Sequence, residues 1–370
     1  MDDIRLLDLG QVLPVRSQTI YHAVAYALDE NSPDTIILVA PTAPYVCIGF
    51  HQELEKEVDV EYCRAHGLPI YRREVGGGAV YLDKNQVFTQ WIFHRHALPA
   101  DIGERFALYV KPLVETYAAL GIAANYRPIN DVHVRGKKIG GTGAAQMGEA
   151  EVVVGSLMFD FNFELMSKVL KVSSEKMRDK IFQSLTEYMT TMTKELGKTP
   201  DRDAVVNLYI ENCQAALGRG VMRGEPTAKE LALAEELDRQ AVTDEWLYQK
   251  GGLRQPGVKI HEDVRVLEAA HKAPGGLIRV TARVRAGRID DVTLSGDFTM
   301  LPKFAPGALE LALRGTALDA GAVKARIAEV YANLNVQSPG VAVDDLTTAV
   351  MLLSRTRASG LVISDQSANH

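Results

Sequence analysis

Apolar and polar positions along the first hundred residues predict strands that alternate with helices around one sheet. The run 35–40 is continuously apolar, which is typical of a buried strand. Apolar residues at helical spacing predict helices over 17–28 and 53–66, the second ending at Gly67. Further strands are predicted over 4–13, 45–48 and 87–93.

The middle of the chain continues this alternation. Residues 131–134 and 138–141 are predicted to pair as a hairpin, with the turn at Arg135-Gly136-Lys137. The run 151–161 is unusually apolar, which predicts a strand near the centre of a sheet. The polar segment 173–178 is predicted to be a mobile loop. Helices are predicted over 102–120, 164–172, 201–218 and 227–240.

A change of composition near residue 250 predicts a domain boundary, because glycines and a proline lie within 250–257. A large α/β (α+β) domain is therefore predicted over 1–250, with a central mixed or antiparallel sheet flanked by helices. A small α+β domain is predicted over 258–355. Beyond the boundary, the predicted elements are a strand over 258–266, a hairpin of 273–284 and 289–298, helices over 308–313, 320–334 and 343–354, and a frayed tail over 365–370.

Composition narrows the class of protein. Of the 370 residues, 46% are hydrophobic and the formal charge is -6, so a sizeable core is expected and general affinity for nucleic acid is not. The acidic first residues do not resemble a signal peptide, and no apolar run is long enough to span a membrane. The three cysteines, Cys47, Cys63 and Cys213, lack metal-ligand spacing and predict a reduced, cytoplasmic protein.

The most unusual stretch is Arg72-Arg73-Glu74-Val75-Gly76-Gly77-Gly78-Ala79-Val80-Tyr81-Leu82-Asp83. Three consecutive glycines allow close approach of the backbone to a bulky group, and exposed N–H groups in such a loop suit anions. The two arginines add forked, permanently charged donors for phosphate or carboxylate. The loop joins predicted strands, so it does not match phosphate-binding motifs that open a helix. A tight β-turn with incidental arginines is the plain alternative.

A second informative stretch begins at Asn130-Asp131 and continues through the predicted hairpin to Lys138-Ile139-Gly140-Gly141. A lysine followed by small residues predicts an ammonium that points into a thin-walled cleft. The alternative is that Lys137 and Lys138 are solvated turn cations, which is the commoner fate of lysine pairs.

Taken in order, these motifs resemble the lipoate–protein ligase family of the lipoate/biotin ligase superfamily, over about residues 1–190. The resemblance is carried by 72–83, by Asn130-Asp131 with Lys138-Ile139-Gly140-Gly141, by Gly155-Ser156-Leu157, and upstream by Pro44, Gly49 and Gln52. The segment from Gly276 to Phe298 resembles the accessory domain of these ligases. The resemblance therefore implies a catalytic domain over 1–250 fused to an accessory domain over 258–355.

The resemblance implies a two-step reaction with ATP, Mg²⁺ and free lipoate. The acid would attack the α-phosphorus to give an acyl-adenylate, and a lysine of an acceptor protein would then displace AMP. Lys138 matches the family's site lysine, which would stabilise both transition states. Asp131 matches a Mg²⁺ ligand. Residues that match nucleotide or phosphate neighbours are Arg73, Gly76, Gly77, Gly78, Ala79, Val80, Tyr81, Asn130, Lys138 and Ser156.

Two positions depart from the family pattern. Leu82 and Val154 stand where the family often has histidine. The absence of these two histidines removes polar groups from the pocket region. It leaves open whether the protein binds lipoate or octanoate. The plain alternative is that both residues are ordinary strand core.

Two other functions stay open. Related octanoyltransferases transfer acyl groups through a cysteine thioester, but residues 121–130, where one class carries that cysteine, contain none. The third possibility is a catalytically silent relative that binds a lipoyl carrier. For the ligase, the implied partner is a lipoyl domain, a glycine-cleavage carrier-like protein, or a dedicated lipoate-binding protein.

Overall fold

The computed structural model describes residues 3–250, 264–355 and 362–364, and the chain divides into two compact units. The first unit comprises Met1–Ile48, Glu57–Glu74 and Ala79–Trp246, and the second comprises Gly49–Lys56, Val75–Gly78 and Leu247–His370. Residues 251–257 of the predicted linker, the predicted strand residues 258–263 and the predicted tail 365–370 lie outside the described residues.

The described strands fall into four sheets. Their bounds are β1 Ile4–Val12, β2 Thr35–Pro41, β3 Tyr45–Ile48, β4 Ile70–Arg72, β5 Val80–Leu82, β6 Gln86–His94, β7 Ala124–Arg127, β8 Asp131–Val134, β9 Lys137–Gly141, β10 Gly143–Met147, β11 Ala150–Met158, β12 Val221–Arg223, β13 Val264–Ala273, β14 Gly276–Arg285, β15 Arg288–Gly296 and β16 Val362–Ser364.

Helices lie between these strands and after them. Their bounds within the described residues are α1 Arg16–Ala27, α2 Leu54–Glu57, α3 Val60–Ala65, α4 Ile102–Ala119, α5 Phe163–Val169, α6 Glu175–Tyr188, α7 Met192–Leu196, α8 Arg202–Leu217, α9 Ala228–Ala241, α10 Asp244–Leu247, α11 Ala305–Leu313, α12 Ala320–Leu334 and α13 Val343–Met351. Among these residues no helix combines enough length and apolar character to cross a membrane.

The first unit is built on a mixed sheet with the strand order β10-β11-β6-β2-β1-β12. The pairs from β10 to β2 are antiparallel, whereas β2–β1 and β1–β12 are parallel. The predicted α/β class with a central mixed sheet is therefore confirmed. The prediction of one sheet for the first hundred residues is wrong, because β3, β4 and β5 form a separate sheet in the order β4-β3-β5.

The two ends of the first unit meet at one side of the mixed sheet. Strand β12 pairs with β1, and helix α9 packs against α1. The Arg16 guanidinium lies 2.6 Å from the Asp238 carboxylate, and Arg5 donates to Glu230. Residues that are more than 200 positions apart thus complete one layer of the unit.

Two predicted elements need correction. The helix predicted over 53–66 is divided into α2 and α3, because Val58 pairs with Leu170 and the Asp59 carboxylate caps α3 by accepting from the Tyr62 N–H. The loop predicted over 173–178 is the start of α6, where the Ser174 hydroxyl accepts from the Met177 N–H.

The second unit contains a sheet with the order β15-β14-β13-β16. The predicted hairpin is present as β14 and β15, and α11, α12 and α13 are present as predicted helices. Apolar residues of these strands and helices form one core, which includes Ile278, Leu294, Leu309 and Ile327. The described end of the predicted strand 258–266 belongs to β13. This strand begins at Val264 and continues beyond the predicted end to Ala273.

Candidate functional site

The hairpin of β8 and β9 carries the predicted site lysine. Arg135 and Gly136 both have positive φ, of 49° and 81°, as a tight two-residue hairpin turn requires. The strand pairing then shifts by one residue: Val132 lies opposite Gly140, but His133 lies opposite Lys138. Ile139 is therefore the extra residue of a β-bulge.

This bulge decides which side of the hairpin Lys138 occupies. Without the shift, Lys138 would lie opposite Val134. With it, Lys138 lies opposite His133, and opposite residues of an antiparallel pair share one face. Asp131 is two positions before His133 and lies on that face as well. The bulge therefore places Asp131, His133 and Lys138 together.

Lys138 and Asp131 form an ion pair, with Nζ 2.7 Å from Oδ1. The two side chains are 39% and 29% exposed, so the pair lies at a partly open surface. The Lys138 backbone is also held, because its carbonyl accepts from the Thr190 N–H at 2.9 Å. Of the two lysines for which a solvated turn cation was the alternative, Lys137 is the exposed one.

Glycines form the wall beside this ion pair. A β-carbon on Gly141 would lie 2.9 Å from Lys138 Nζ and 3.1 Å from its Cε. A β-carbon on Gly155 of β11 would lie 3.2 Å from the Gly141 carbonyl oxygen. The small residues after Lys138 thus provide the space that the lysine side chain and the neighbouring strand occupy.

The middle of strand β11 is partly exposed to solvent, whereas both of its ends are buried. Val154, Gly155 and Ser156 are half-exposed, whereas the flanking residues of the strand are buried. A β-carbon on Gly140 would lie 3.6 Å from the Ser156 carbonyl oxygen, so Ser156 is adjacent to the hairpin. Asn130 is tied to it as well, since its Nδ2 donates to the Thr142 carbonyl at 2.6 Å. The structure therefore brings together Asn130, Asp131, Lys138 and Ser156.

Arg72 and Arg73 have different environments in the first unit. Arg72 is 1% exposed, and it donates from Nε to the Trp246 carbonyl, while the Trp246 indole N–H donates to the Arg72 carbonyl. Burial lowers the pKa of Arg72 to about 10. Arg73 is half-buried, and its guanidinium donates to the Cys47 carbonyl at 3.4 Å. The Trp246 carbonyl accounts for the Nε group of Arg72, and the interpretation of both arginines as anion donors stays a prediction.

Ala79, Val80 and Tyr81 lead into the small sheet of the first unit. Ala79 and Val80 are half-exposed, whereas Tyr81 is buried with its ring against Phe161. The Tyr81 N–H donates to the Met166 sulfur at 3.2 Å. Leu82 is half-exposed, as is Val154, so neither residue is a fully buried strand residue.

The glycine run Gly76-Gly77-Gly78 belongs to the second unit, where it packs on backbone. A β-carbon on Gly76 would lie 2.6 Å from the Phe298 carbonyl oxygen, and one on Gly49 would lie 1.9 Å from the Gly77 carbonyl oxygen. Gly77 also has a φ of 96°, which favours glycine. Close packing thus accounts for Gly76 and turn geometry for Gly77, whereas a β-carbon on Gly78 would meet only the Asp297 side chain, at 3.7 Å. The predicted role of all three glycines beside a nucleotide stays a prediction.

All three cysteines are buried and unbonded to one another. Burial raises the pKa of Cys63 to about 11 and that of Cys213 to about 12, and it also raises the pKa of Cys47. Because the thiolate is the reactive form, these thiols are neutral and inert at neutral pH.

We expect the folded protein to resist alkylation at pH 8. Iodoacetamide should add fewer than one group per chain within an hour, because the thiols are both buried and protonated. The measurement is intact mass, and the same reaction in 6 M guanidinium should label all three cysteines. Rapid labelling of one cysteine in the folded chain would contradict this assignment and reveal an accessible thiol.

The sequence interpretation missed His133 as a neighbour of the site and Trp246 as the partner of Arg72. His133 was detectable, because it lies two positions after Asp131 in a predicted strand and so must share its face. Nothing near Arg72 in the sequence indicates Trp246, which is 174 positions away.

Comparisons with known proteins comprise a family model, similar proteins and similar solved structures. The family model described as the lipoyl protein ligase A/B catalytic domain matches residues 16–214, more than half of the chain. The octanoyltransferase LipM of Kyrpidia tusciae is 28% identical over 276 residues, which is 68% of this chain and 100% of that protein.

Two solved structures have the same fold. A bi-partite lipoate protein ligase from Thermoplasma acidophilum, studied with its E2 lipoyl domain, is 28% identical with a TM-score of 0.61, covering 70% of this chain and 99% of that one. A lipoate-protein ligase A bound with ATP is 25% identical with a TM-score of 0.58, covering 67% of this chain and 99% of that one. The segment that the family model matches includes the β8–β9 hairpin and β11.

Proposed function

Because the chain belongs to the family of lipoyl protein ligase A/B catalytic domains, we propose that it is an ATP-dependent lipoate–protein ligase. Its substrates would be free lipoate, ATP and a lysine of a carrier protein. In the first step, a carboxylate oxygen of lipoate forms a bond to the α-phosphorus of ATP, and pyrophosphate leaves. In the second step, the lysine amine attacks the carbonyl carbon, AMP leaves with the bonding electrons, and the amine proton passes to solvent.

The position of Lys138 carries this proposal. Neither step requires a nucleophile from the enzyme; both require positioned reactants and stabilisation of negative charge. Lys138 lies at a partly open surface, in a space kept free by Gly141. Its ammonium is suited to the charge that develops on the phosphoryl group and later on the carbonyl oxygen.

The neighbouring residues also suit MgATP. Mg²⁺ commonly keeps several waters and is held by one or two carboxylates together with substrate phosphates. Asp131 would hold the ion, which would neutralise phosphate charge when bound. Asn130 and Ser156 offer polar groups beside the same hairpin.

Acyl transfer through a cysteine thioester is the second candidate, because LipM octanoyltransferase is among the similar proteins. That chemistry requires a thiolate that the substrate can reach. Each cysteine of this chain is instead buried with a raised pKa. The thiols therefore favour the ligase.

An intact-mass assay separates the candidates. The protein is incubated with a lipoyl domain, lipoate and MgATP, or with an octanoylated acyl-carrier protein and no ATP. We expect a lipoyl mass gain on the carrier that depends on ATP, and we expect it to persist when Cys47, Cys63 and Cys213 are all replaced by alanine. The three single variants serve if the triple variant does not fold. A gain that needs no ATP and disappears with one cysteine would establish acyl transfer instead.

The acceptor is proposed by analogy with the archaeal ligase, which was studied with its E2 lipoyl domain. The same assay with a glycine-cleavage carrier protein or a dedicated lipoate-binding protein in place of the lipoyl domain ranks the three acceptors by initial rate.

A further inference from the structure

Gln90 is a buried polar residue of the first unit, and one of its amide atoms is unsatisfied. The residue lies on β6 and is 2% exposed. Its Nε2 donates to the Ser17 carbonyl of α1 at 3.0 Å, which fixes the orientation of the amide because a carbonyl only accepts. Its Oε1 has no hydrogen-bond partner among the described residues. Buried polar atoms normally have a partner, so this acceptor needs an explanation.

Tyr21 supplies a second unsatisfied atom near the start of α1. It follows Ser17 by four residues and therefore lies on the same side of the helix. Tyr21 is 1% exposed, and its hydroxyl has no hydrogen-bond partner in the described part of the chain. Burial raises the pKa of Tyr21, so the hydroxyl keeps its proton and remains a donor. An acceptor and a donor around the first turns of α1 are therefore available to a bound molecule.

Gln90 borders a partly open face of β11. Val154 and Ser156 are half-exposed on that strand, and their side chains share one face. This face is turned away from α4, because a β-carbon on Gly155 between them would lie 3.1 Å from the Tyr109 hydroxyl on the opposite side. Val154 lies directly opposite Gln90, so the two side chains are neighbours on this face. The open face thus leads to the Gln90 amide.

The other end of this face lies beside the proposed reaction site. Ser156 is adjacent to the hairpin that carries Lys138, since a β-carbon on Gly140 would lie 3.6 Å from the Ser156 carbonyl oxygen. Ser156 and Val154 are about 7 Å apart along the strand, and Val154 and Gln90 are about 5 Å apart across it. This path is comparable in length with the chain of octanoate or lipoate. An acid whose carboxylate lies beside Lys138 can therefore place its distal end at Gln90.

The unpaired acceptor of Gln90 distinguishes such acids by their distal ends. Octanoate ends in a methyl group and oxidised lipoate in a cyclic disulfide, and neither group donates a hydrogen bond. Reduced lipoate carries two thiols, in which S–H is a weak donor and sulfur a weak acceptor. A thiol would satisfy Oε1 of Gln90, whereas a methyl group would leave this oxygen buried without a partner, which is unfavourable. The second thiol offers an acceptor for a hydroxyl such as that of Tyr21.

We propose that Gln90 is a specificity-determining residue that selects the reduced, dithiol form of lipoate over octanoate. This inference rests on the proposed function, because it requires the protein to activate a medium-chain acid. Oε1 of Gln90 accepts a hydrogen bond from one thiol of the bound acid, while Nε2 remains on the Ser17 carbonyl. The inference names the acid that the residues Leu82 and Val154 left open.

The first test uses the unaltered protein, so it does not depend on the folding of a variant. Exchange of labelled pyrophosphate into ATP is measured with reduced lipoate, oxidised lipoate and octanoate. We expect kcat/KM for reduced lipoate to exceed that for octanoate about tenfold, the effect of leaving a buried acceptor unpaired. Oxidised lipoate, which has sulfur but no donor, should give a value between the two. A phosphine keeps the dithiol reduced, and octanoate is assayed with and without this reductant as a control.

The matched variants are Gln90→Leu and Gln18→Leu. Leucine at position 90 removes the unpaired acceptor, so the preference for reduced lipoate over octanoate should fall from about tenfold to below about threefold. Gln18 is also a buried glutamine, but its Nε2 donates to the Tyr45 hydroxyl at 2.6 Å. Gln18→Leu should keep the preference. Loss of stability in either variant does not change the comparison, because the ratio for two acids on one protein is independent of the folded fraction.

The outcomes separate this inference from the proposed function. Exchange with equal kcat/KM for reduced lipoate and octanoate would overturn the role of Gln90 and leave the ligase function standing, and a buried water on Oε1 predicts this result. A preference that survives in Gln90→Leu would also overturn the role of Gln90. If no acid supports exchange, the proposed function fails, and the role of Gln90 fails with it.

Discussion

Replacing Lys138 by alanine is expected to lower the rate of adenylate formation about 10³-fold, the upper end of what loss of one charge-stabilising donor costs. The reason is that this ammonium would stabilise the negative charge that develops on the phosphoryl group. The measurement is lipoate-dependent exchange of labelled pyrophosphate into ATP, which reports the first step alone. Folding should survive, because a partly exposed ion pair contributes about 0–1 kcal/mol to stability.

Lys137→Ala is the matched control for this experiment. Lys137 is the neighbouring cation on the same strand, but it is exposed and lies opposite Val134, away from the face that carries Asp131. Loss of the Lys137 side chain should leave the exchange rate unchanged within about twofold, because substitutions at exposed sites usually have small effects. Full activity of Lys138→Ala with an unchanged melting temperature would remove Lys138 from the mechanism.

Gly141→Ala is expected to reduce exchange about 10²-fold, because a displacement of roughly 1 Å at a reacting group can cost that much. The added methyl would lie 2.9 Å from Lys138 Nζ and 3.4 Å from Asp131 Oδ1. The flexible end of the lysine is the atom that gives way, so the ammonium moves and the backbone does not. Thermal unfolding by circular dichroism should therefore be almost unaffected while activity falls.

Gly140→Ala provides the comparison one residue away. A β-carbon there would meet the Ser156 carbonyl oxygen at 3.6 Å, which is ordinary van der Waals contact. We expect activity within about threefold of the wild type, since neither Lys138 nor Asp131 is approached. Equal losses from both substitutions would mean that the hairpin backbone, rather than the space around the lysine, limits the reaction.

The elements with strong local signals were predictable from the sequence. The hairpin of β8 and β9 was placed correctly, because Arg135-Gly136 marks its turn. Helix α12 was placed with both ends correct, and α8 has the capping aspartate and terminal glycine that its sequence indicates. Asp131 and Lys138 were expected in one site from the family resemblance, whereas the regular hairpin alone would have placed them on opposite faces.

Long-range contacts decide what the sequence left open. The β-bulge at Ile139 sets the direction of Lys138, and although Gly140 and Gly141 follow it, they do not fix at which residue the register shifts. Arg72 and Arg73 are identical in type, and the burial of Arg72 is accompanied by a contact with Trp246, 174 positions away. Strand β10 begins with Gly143, Ala144 and Ala145, which have little strand propensity, so its pairing with β11 is what makes it a strand.

Helix α6 is a different case, because a local signal was present and was not used. Ser174 followed by Glu175 is a helix start, and its capping hydrogen bond converts the predicted loop into an ordered turn. The polar character of 173–178 indicates exposure to solvent, and an exposed segment can still be a regular helix.

The pairing of β12 with β1 and the packing of α9 against α1 have a consequence for biosynthesis. At about 5–20 residues per second, the ribosome would leave the first strand and helix without these neighbours for roughly 10–40 s. During that interval a strand edge and an apolar helix face stay uncovered, which favours chaperone binding. A truncated chain that stops at residue 214 would remain in that state permanently, so soluble expression should require the polypeptide to continue through Ala241.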